Sequence, residues 1–254
     1  MLSLLAGCES EAEIAAEMER SLVDANQGLV GVLVATEVMH LVDATPSTTV
    51  RHSTTGCGCP CVAKVGDTPP YIVTLDYPTF GCIPDSGLIP TSLAGHTVLD
   101  ADGATCDVTW DGLLLALEHE VTGDLQGEAS ADHVAPKGEL TVGPWTATLD
   151  LDVAIAPDAL TIDGDVTSTR KGDDEPRTVS YRGVRLPRET ILGQCPAPDD
   201  GTAALHHPGW PDKGKEAKDV VVKFAQPGGG SVTVERDDRV SEPTDWCGYT
   251  SSLW

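Results

Sequence analysis

A mainly β protein is predicted for this 254-residue chain. Its expected form is a curved antiparallel meander, an open sheet or partial barrel, packed against a long N-terminal α-helix. Three observations predict it. Apolar residues recur at helical spacing over the first forty-odd positions. The period then switches to two, and it holds to the end of the chain through turns rich in Gly and Pro.

From Ser10 to about Asp43, Ile14, Met18, Leu22, Ala25, Leu29, Val32 and Met39 follow steps of three, four or seven. Glu11, Glu13, Glu17 and Glu19 fall elsewhere on the wheel. Pro46 stops the helix by removing a donor and clashing with the preceding turn. Gly28 and Gly31 each weaken a helix by about 1 kcal/mol relative to Ala, which marks a place for a break or kink. The stretch Gly28 to Val42 is apolar, yet shorter than the roughly 20 residues of a membrane span. It also carries Glu37 and His40. Burial against the rest of the fold is expected.

Beyond Pro46 the alternation reads as strands. Ala147, Leu149, Leu151, Val153 and Ile155 share one face, with Thr146, Thr148, Asp150 and Asp152 on the other. A turn over Ala156–Ala159 leads to Leu160, Ile162 and Val166, opposite Thr161, Asp163, Asp165 and Thr167. Leu115, Leu117, Val121 and Leu125 repeat the pattern against Glu118, Glu120 and Asp124. Val220, Val222 and Phe224 face Val232 and Val234 across Gln226-Pro227-Gly228-Gly229-Gly230, a hairpin signal. Between Val179/Tyr181 and Val184/Leu186 the phase slips by one residue at Gly183, as a β-bulge requires. One apolar and one polar face on strand after strand means an antiparallel sheet with one solvated side. The apolar side must be covered, which the helix is placed to do. No repeat of solenoid or propeller period is present.

Composition excludes several functions. With 16 Lys and Arg against 40 Asp and Glu, the formal charge is −24. Nucleic acid needs clustered cations, and anionic headgroups repel such a surface. Aromatic residues make up only 4%, so the core must be filled by aliphatic side chains and few rings remain to stack on sugars or bases. Hydrophobic content of 40% still permits a core.

The N-terminus carries the clearest targeting signal. Leu5-Ala6-Gly7-Cys8 resembles a bacterial lipobox, in which cleavage before the cysteine precedes its lipidation. Residues 1–7 then read as the remnant of a signal peptide, 8–45 as the lipidated cysteine and helix, and 46–254 as the antiparallel β domain. A signal peptide needs a basic n-region, whereas the first cation here is Arg20. Met1 therefore reads as internal, with the true start upstream. Two or more acyl chains anchor a protein stably. Glu9 after the cysteine resembles lipoproteins sent to an outer membrane.

Within the domain, Tyr71-Ile-Val-Thr-Leu-Asp-Tyr-Pro-Thr-Phe-Gly-Cys82-Ile-Pro-Asp-Ser-Gly87 resembles a segment of β-rich envelope lipoproteins of Gram-negative bacteria. There a strand leads through Gly-Cys to a Gly-bearing turn, although Pro78 stands at a position usually held by Gly. Gly56-Cys57-Gly58-Cys59-Pro60-Cys61 is similar to the segment just upstream in those proteins. The resemblance implies an exported β protein and brings no activity with it.

Eight cysteines fit an oxidising compartment. With Cys8 lipidated, the disulfide candidates are Cys57, Cys59, Cys61, Cys82, Cys106, Cys195 and Cys247, an odd number that leaves one thiol over. On an extended strand Cys57, Cys59 and Cys61 would recur about every 6.6 Å. That is long for bonds between neighbours, so each is expected to pair elsewhere, with Cys82 and Cys106 nearest. Cys195 and Cys247 would staple the last hairpin region. A soft-metal site of the three clustered thiolates is the alternative.

Catalytic patterns are missing: Gly-x-Ser-x-Gly does not occur, His119-Glu120 lacks a second His at zincin spacing, and no Walker or Rossmann loop is present. A hydrolase would need a site assembled from distant residues. His119, in phase with Leu117 and Val121, is expected as a buried, hydrogen-bonded core residue. His206-His207 is expected in a loop before Pro208. Asp100-Ala-Asp102-Gly103, Asp163-Gly-Asp165 and Asp173-Asp174-Glu175 read as solvated acidic turns, short of EF-hand spacing. The expectation is a lipid-anchored envelope protein, on an outer membrane, whose β domain has a structural or binding role toward an unknown protein or ligand. No catalysis, cofactor or nucleic acid is expected; the second reading is a metal-binding envelope protein using Cys57, Cys59 and Cys61.

Overall fold

The computed structural model describes residues 10–44, 57–170, 176–192, 195–207, 218–224, 230–237 and 239–249. The lipobox, the acidic run Asp173–Glu175 and most of the Gln226–Gly230 turn lie outside the described residues. The helix α1 spans Glu11–Met39 and passes into a 3-10 turn, His40–Asp43. Its start is held by a reciprocal cap. Ser10 Oγ accepts from the Glu13 amide at 3.2 Å, and Glu13 Oε2 accepts from the Ser10 amide at 2.8 Å.

The rest is a 14-stranded antiparallel sheet. Its strands are β1 (Cys61–Val65), β2 (Tyr71–Cys82), β3 (Leu93–Asp102), β4 (Thr105–Leu115), β5 (His119–Ala129), β6 (His133–Val142) and β7 (Trp145–Ile155). They continue as β8 (Ala159–Arg170), β9 (Arg177–Pro187), β10 (Asp200–His207), β11 (Lys218–Phe224), β12 (Ser231–Arg236), β13 (Arg239–Val240) and β14 (Thr244–Asp245). A short helix α2 (Arg188–Leu192) separates β9 from β10. From β1 to β13 each strand pairs with its neighbours in sequence, and β14 returns to pair β12. The sheet is therefore an open meander.

Its curvature follows from what one helix touches. α1 meets β6, β7 and β9 to β12, and at its far end Asp43 accepts a hydrogen bond from the Tyr71 hydroxyl of β2 at 3.1 Å. Strands so far apart in the order reach one cylinder only if the sheet wraps it. Every residue from Gly28 to Met39 is buried, so the second half of α1 is enclosed on all sides. By length and composition, Glu11–Asp43 is apolar enough to cross a membrane, but 83% of its most apolar window is covered by the protein itself.

The helix runs through Gly28 and Gly31 without a break. Both glycines are points of closest approach to the sheet. A Cβ on Gly28 would lie 2.2 Å from the Tyr181 hydroxyl, and one on Gly31 would lie 2.6 Å from Cη2 of Trp145. Tyr181 uses that proximity to donate to the Ala25 carbonyl at 2.6 Å. At the sheet's other end Phe224 meets Trp246 edge to face at 5.1 Å, and Trp246 Nε1 donates to the Pro196 carbonyl at 2.8 Å.

The strand alternation, the 156–159 turn and the Gly183 bulge all appear. Ile162 pairs with Val184 but Gly164 with Tyr181, and the freed Gly183 amide donates to Asp163 at 2.8 Å. Val222 pairs with Val234 and Phe224 with Val232. Four expectations fail. Leu117 does not continue a strand: residues 116–118 turn between β4 and β5, leaving Leu117 exposed and His119 half-buried. Asp163-Gly-Asp165 lies inside β8, where the two carboxylates face the bulge and Arg182. His206 lies in β10, not in a loop, and pairs with Asp219 at 2.7 Å.

Gly28→Ala is predicted to destabilise the fold by about 1–3 kcal/mol through overpacking, despite the better helix propensity of Ala. In a Tyr181→Phe background the atom it strikes is gone, so the added cost should shrink. Urea unfolding of the two single variants and the double variant measures this coupling; additive losses would refute the close approach.

Candidate functional site

The described residues gather most of their chemistry at the C-terminal end of α1. The site begins with a disulfide knot. Residues 57–60 bend instead of extending, which brings the Cα atoms of Cys57 and Cys61 to 5.4 Å, and these two are bonded to each other. Cys59 bonds Cys82, with Cα atoms 6.1 Å apart, and Cys195 bonds Cys247 at 5.7 Å. Only an extended strand would keep the cysteines of the 57–61 cluster from bonding each other, and the strand begins only at Cys61. The Cys195–Cys247 staple forms as expected. Cys106 forms no disulfide: it sits buried on β4, and burial pushes its thiol up to about 12. Cys8 lies outside the described residues.

The knot is tied to the loop after β2. Asp85 Oδ2 accepts from the Cys59 amide at 2.8 Å, and the Asp85 amide donates to the Cys59 carbonyl at 2.8 Å. The next residue, Ser86, reaches the core. Its hydroxyl donates to Glu37 Oε2 and accepts from the Leu88 amide at 3.2 Å. Its carbonyl accepts from Arg188 of α2 at 3.1 Å. One loop therefore joins the knot, α1 and α2.

Glu37 is fully buried, and among the described residues its Oε1 has no hydrogen-bond partner; neither do the Tyr77 hydroxyl and Arg188 Nε. Burial raises the Glu37 carboxyl to about 8, against the opposing pull of the Ser86 hydrogen bond and the Arg188 charge, with Asp85 adding to the rise. Burial also raises Tyr77, helped by Glu37, and lowers His40, whose Nδ1–H donates to the Thr36 carbonyl at 3.0 Å. At neutral pH Glu37 thus carries its proton. It is no base for Ser86, and the pair works as a buried latch holding the loop on the helix.

The opposite end of α1 borders a cleft of about 400 Å³. Ile14, Met18, Leu22, Val234, Val240 and Tyr249 supply its apolar lining. Glu11 and Arg239 flank it, 4.0 Å apart.

The structure does not bring the remaining sequence candidates together. His119 and His206 lie on separate strands, and Asp100 and Asp102 end β3. Among the described residues no group of three or more His, Cys, Asp or Glu side chains is arranged to hold a metal ion. Periodicity does not reveal the Glu37 latch: its one local sign is a carboxylate inside an apolar run, and Ser86, 49 residues away, carries none. The chain matches no protein-family model, no curated protein and no solved structure.

Glu37 sets a pH dependence. The folded state keeps the proton up to about pH 8, whereas the unfolded chain releases it near 4.5. The stability it contributes is full below 4.5 and lost as pH rises through 8. Glu37→Gln is expected to unfold at a higher urea concentration than the parent at pH 9 and to differ little at pH 5. Parallel pH profiles for the two proteins would rule out a buried neutral carboxyl.

Proposed function

We propose that the protein is a lipid-anchored lipoprotein of the bacterial cell envelope, tethered through Cys8 to an outer membrane, with a β domain that binds a ligand or protein partner. The observation that carries this reading is Leu5-Ala6-Gly7-Cys8 two residues ahead of the Ser10 helix cap. Three disulfides support it, since such bonds persist in exported proteins. The charge of −24 disfavours nucleic acid and anionic lipid as partners. A cleft of ligand size beside the anchored end of α1 is a natural seat for a small apolar molecule. The reading includes no catalytic role. A metal centre at Cys57, Cys59 and Cys61 is not favoured, because disulfides leave no thiolate there to ligate.

The test is the intact mass of protein extracted from membranes after expression with an upstream start restored. The expected species begins at Cys8, carries acyl chains and holds three disulfides. Alkylation without reduction should add a single label, on Cys106, and only after unfolding. An unprocessed N-terminus, or a mature protein without acyl mass, would refute the anchor.

A further inference from the structure

Only two phenylalanines occur in the chain. Phe224 is buried, whereas Phe80 is 66% exposed. Ile83, on the other side of the disulfide-bonded Cys82, is 53% exposed. Leu117, 45% exposed, arrives from the β4–β5 turn and lies over Gly81, whose Cβ, if present, would be 2.7 Å from Leu117 Cδ2. Three exposed apolar side chains are therefore carried at one tip, where β2 ends beside the β4–β5 turn. It is rigid: Cys82 is bonded to Cys59, and Asp85 and Ser86 hold the following loop to the knot and helix.

The tip is presented at a cost. Ala116 and Leu117 have φ of 53° and 62°, a left-handed backbone that costs roughly 1–2 kcal/mol for each residue with a Cβ. Glycine or asparagine would relieve it, yet an exposed leucine occupies the position. Strain kept at an exposed apolar side chain points to use. The two segments that carry it are acidic, with Arg188 of α2 bound at the Ser86 carbonyl. Residues 76–92 and 111–120 contain Asp76, Asp85, Asp111, Glu118 and Glu120 and no Lys or Arg.

We propose that Phe80, Ile83 and Leu117 dock a protein partner that offers an apolar pocket ringed by Lys and Arg. The acidic surround repels a second copy and an anionic lipid surface alike. The anchor's own membrane is out of reach. Glu37, latched to Ser86 beside the tip, lies near the C-terminus of a helix about 40 Å long, and Cys8 precedes its N-terminus. This last step rests on the anchored reading; the surface itself does not.

The experiment places a photo-crosslinking benzoylphenylalanine at position 80 of the full chain, in the cells that make it. The control carries the same residue at position 72, where Ile72 is 43% exposed on the same strand. Expected is an adduct to another protein from position 80 and none from 72, joined at a peptide bearing Lys or Arg. In isolated envelopes its yield should fall at least about fivefold when salt is raised to 0.5 M. Leu117→Asn should lower it similarly without lowering the urea midpoint, because Asn accepts the left-handed backbone better. Adducts to lipid, to a second copy, equal labelling from both positions, or no adduct would each overturn the proposal. A specific adduct from protein lacking acyl mass would sink the anchor and leave the docking surface standing.

Discussion

The whole structure depends on enclosing one helix. From Gly28 to Met39 α1 has no solvent side, so it needs apolar partners around its full circumference. A flat sheet offers a single face. An antiparallel meander that twists and curls supplies the rest. Close approach is the geometric condition for that wrapping, and two glycines meet it. Gly28 admits the Tyr181 hydroxyl and Gly31 admits the Trp145 ring. The helix propensity given up at each is about 1 kcal/mol, less than the burial of one large side chain contributes.

The same enclosure explains the latch. A carboxylate in the buried half of α1 has no route to water, so it must be neutral, paired or both. Glu37 is held by Ser86 and lies within the field of Arg188. These partners come from the loop after β2 and from α2, segments that lack the regular hydrogen bonding of the sheet. Asp85, one residue before Ser86, binds the disulfide knot. Covalent closure at the sheet's first edge and a polar contact in its core thus fix the same loop from two directions. The opposite edge is closed by different means: the Cys195–Cys247 bond, and Trp246, whose amide donates to the Gly230 carbonyl just before β12 and whose ring packs on Phe224 of β11.

How much of this was legible in the sequence differs by scale. Periodicity reports which face of an element is buried, so it revealed the helix, the meander and the Gly183 slip. It does not report where a chain reverses when apolar residues continue through the turn. Leu117 keeps the alternation alive across a left-handed turn made of Ala116 and Leu117, residues that rarely adopt it, so the pattern from Leu115 to Leu125 joins two strands into one. The cysteine cluster departs from its expected pairing for a related reason: a spacing in sequence becomes a distance only once the backbone is known to be extended. Glu37 and Ser86 meet through tertiary packing alone, beyond the range of any local pattern.

The acidity of the chain has a structural answer as well. Register places Asp100 opposite Asp107, Asp124 opposite Glu139, Asp150 opposite Asp165 and Asp152 opposite Asp163. Like charges directly across a ladder destabilise it. On β7 and β8 a specific partner meets each member. Lys137 binds Asp150 at 3.1 Å, Arg182 binds Asp165 at 3.1 Å, His133 binds Asp152 at 3.2 Å, and the bulge amide of Gly183 serves Asp163. The bulge that shifts the apolar phase of β9 therefore also supplies the donor for an acid that would otherwise face another acid. These exposed pairs add little stability individually; they remove a penalty. What remains is a predominantly acidic solvent face, and like charge of that kind opposes the edge-to-edge addition of strands to an open sheet.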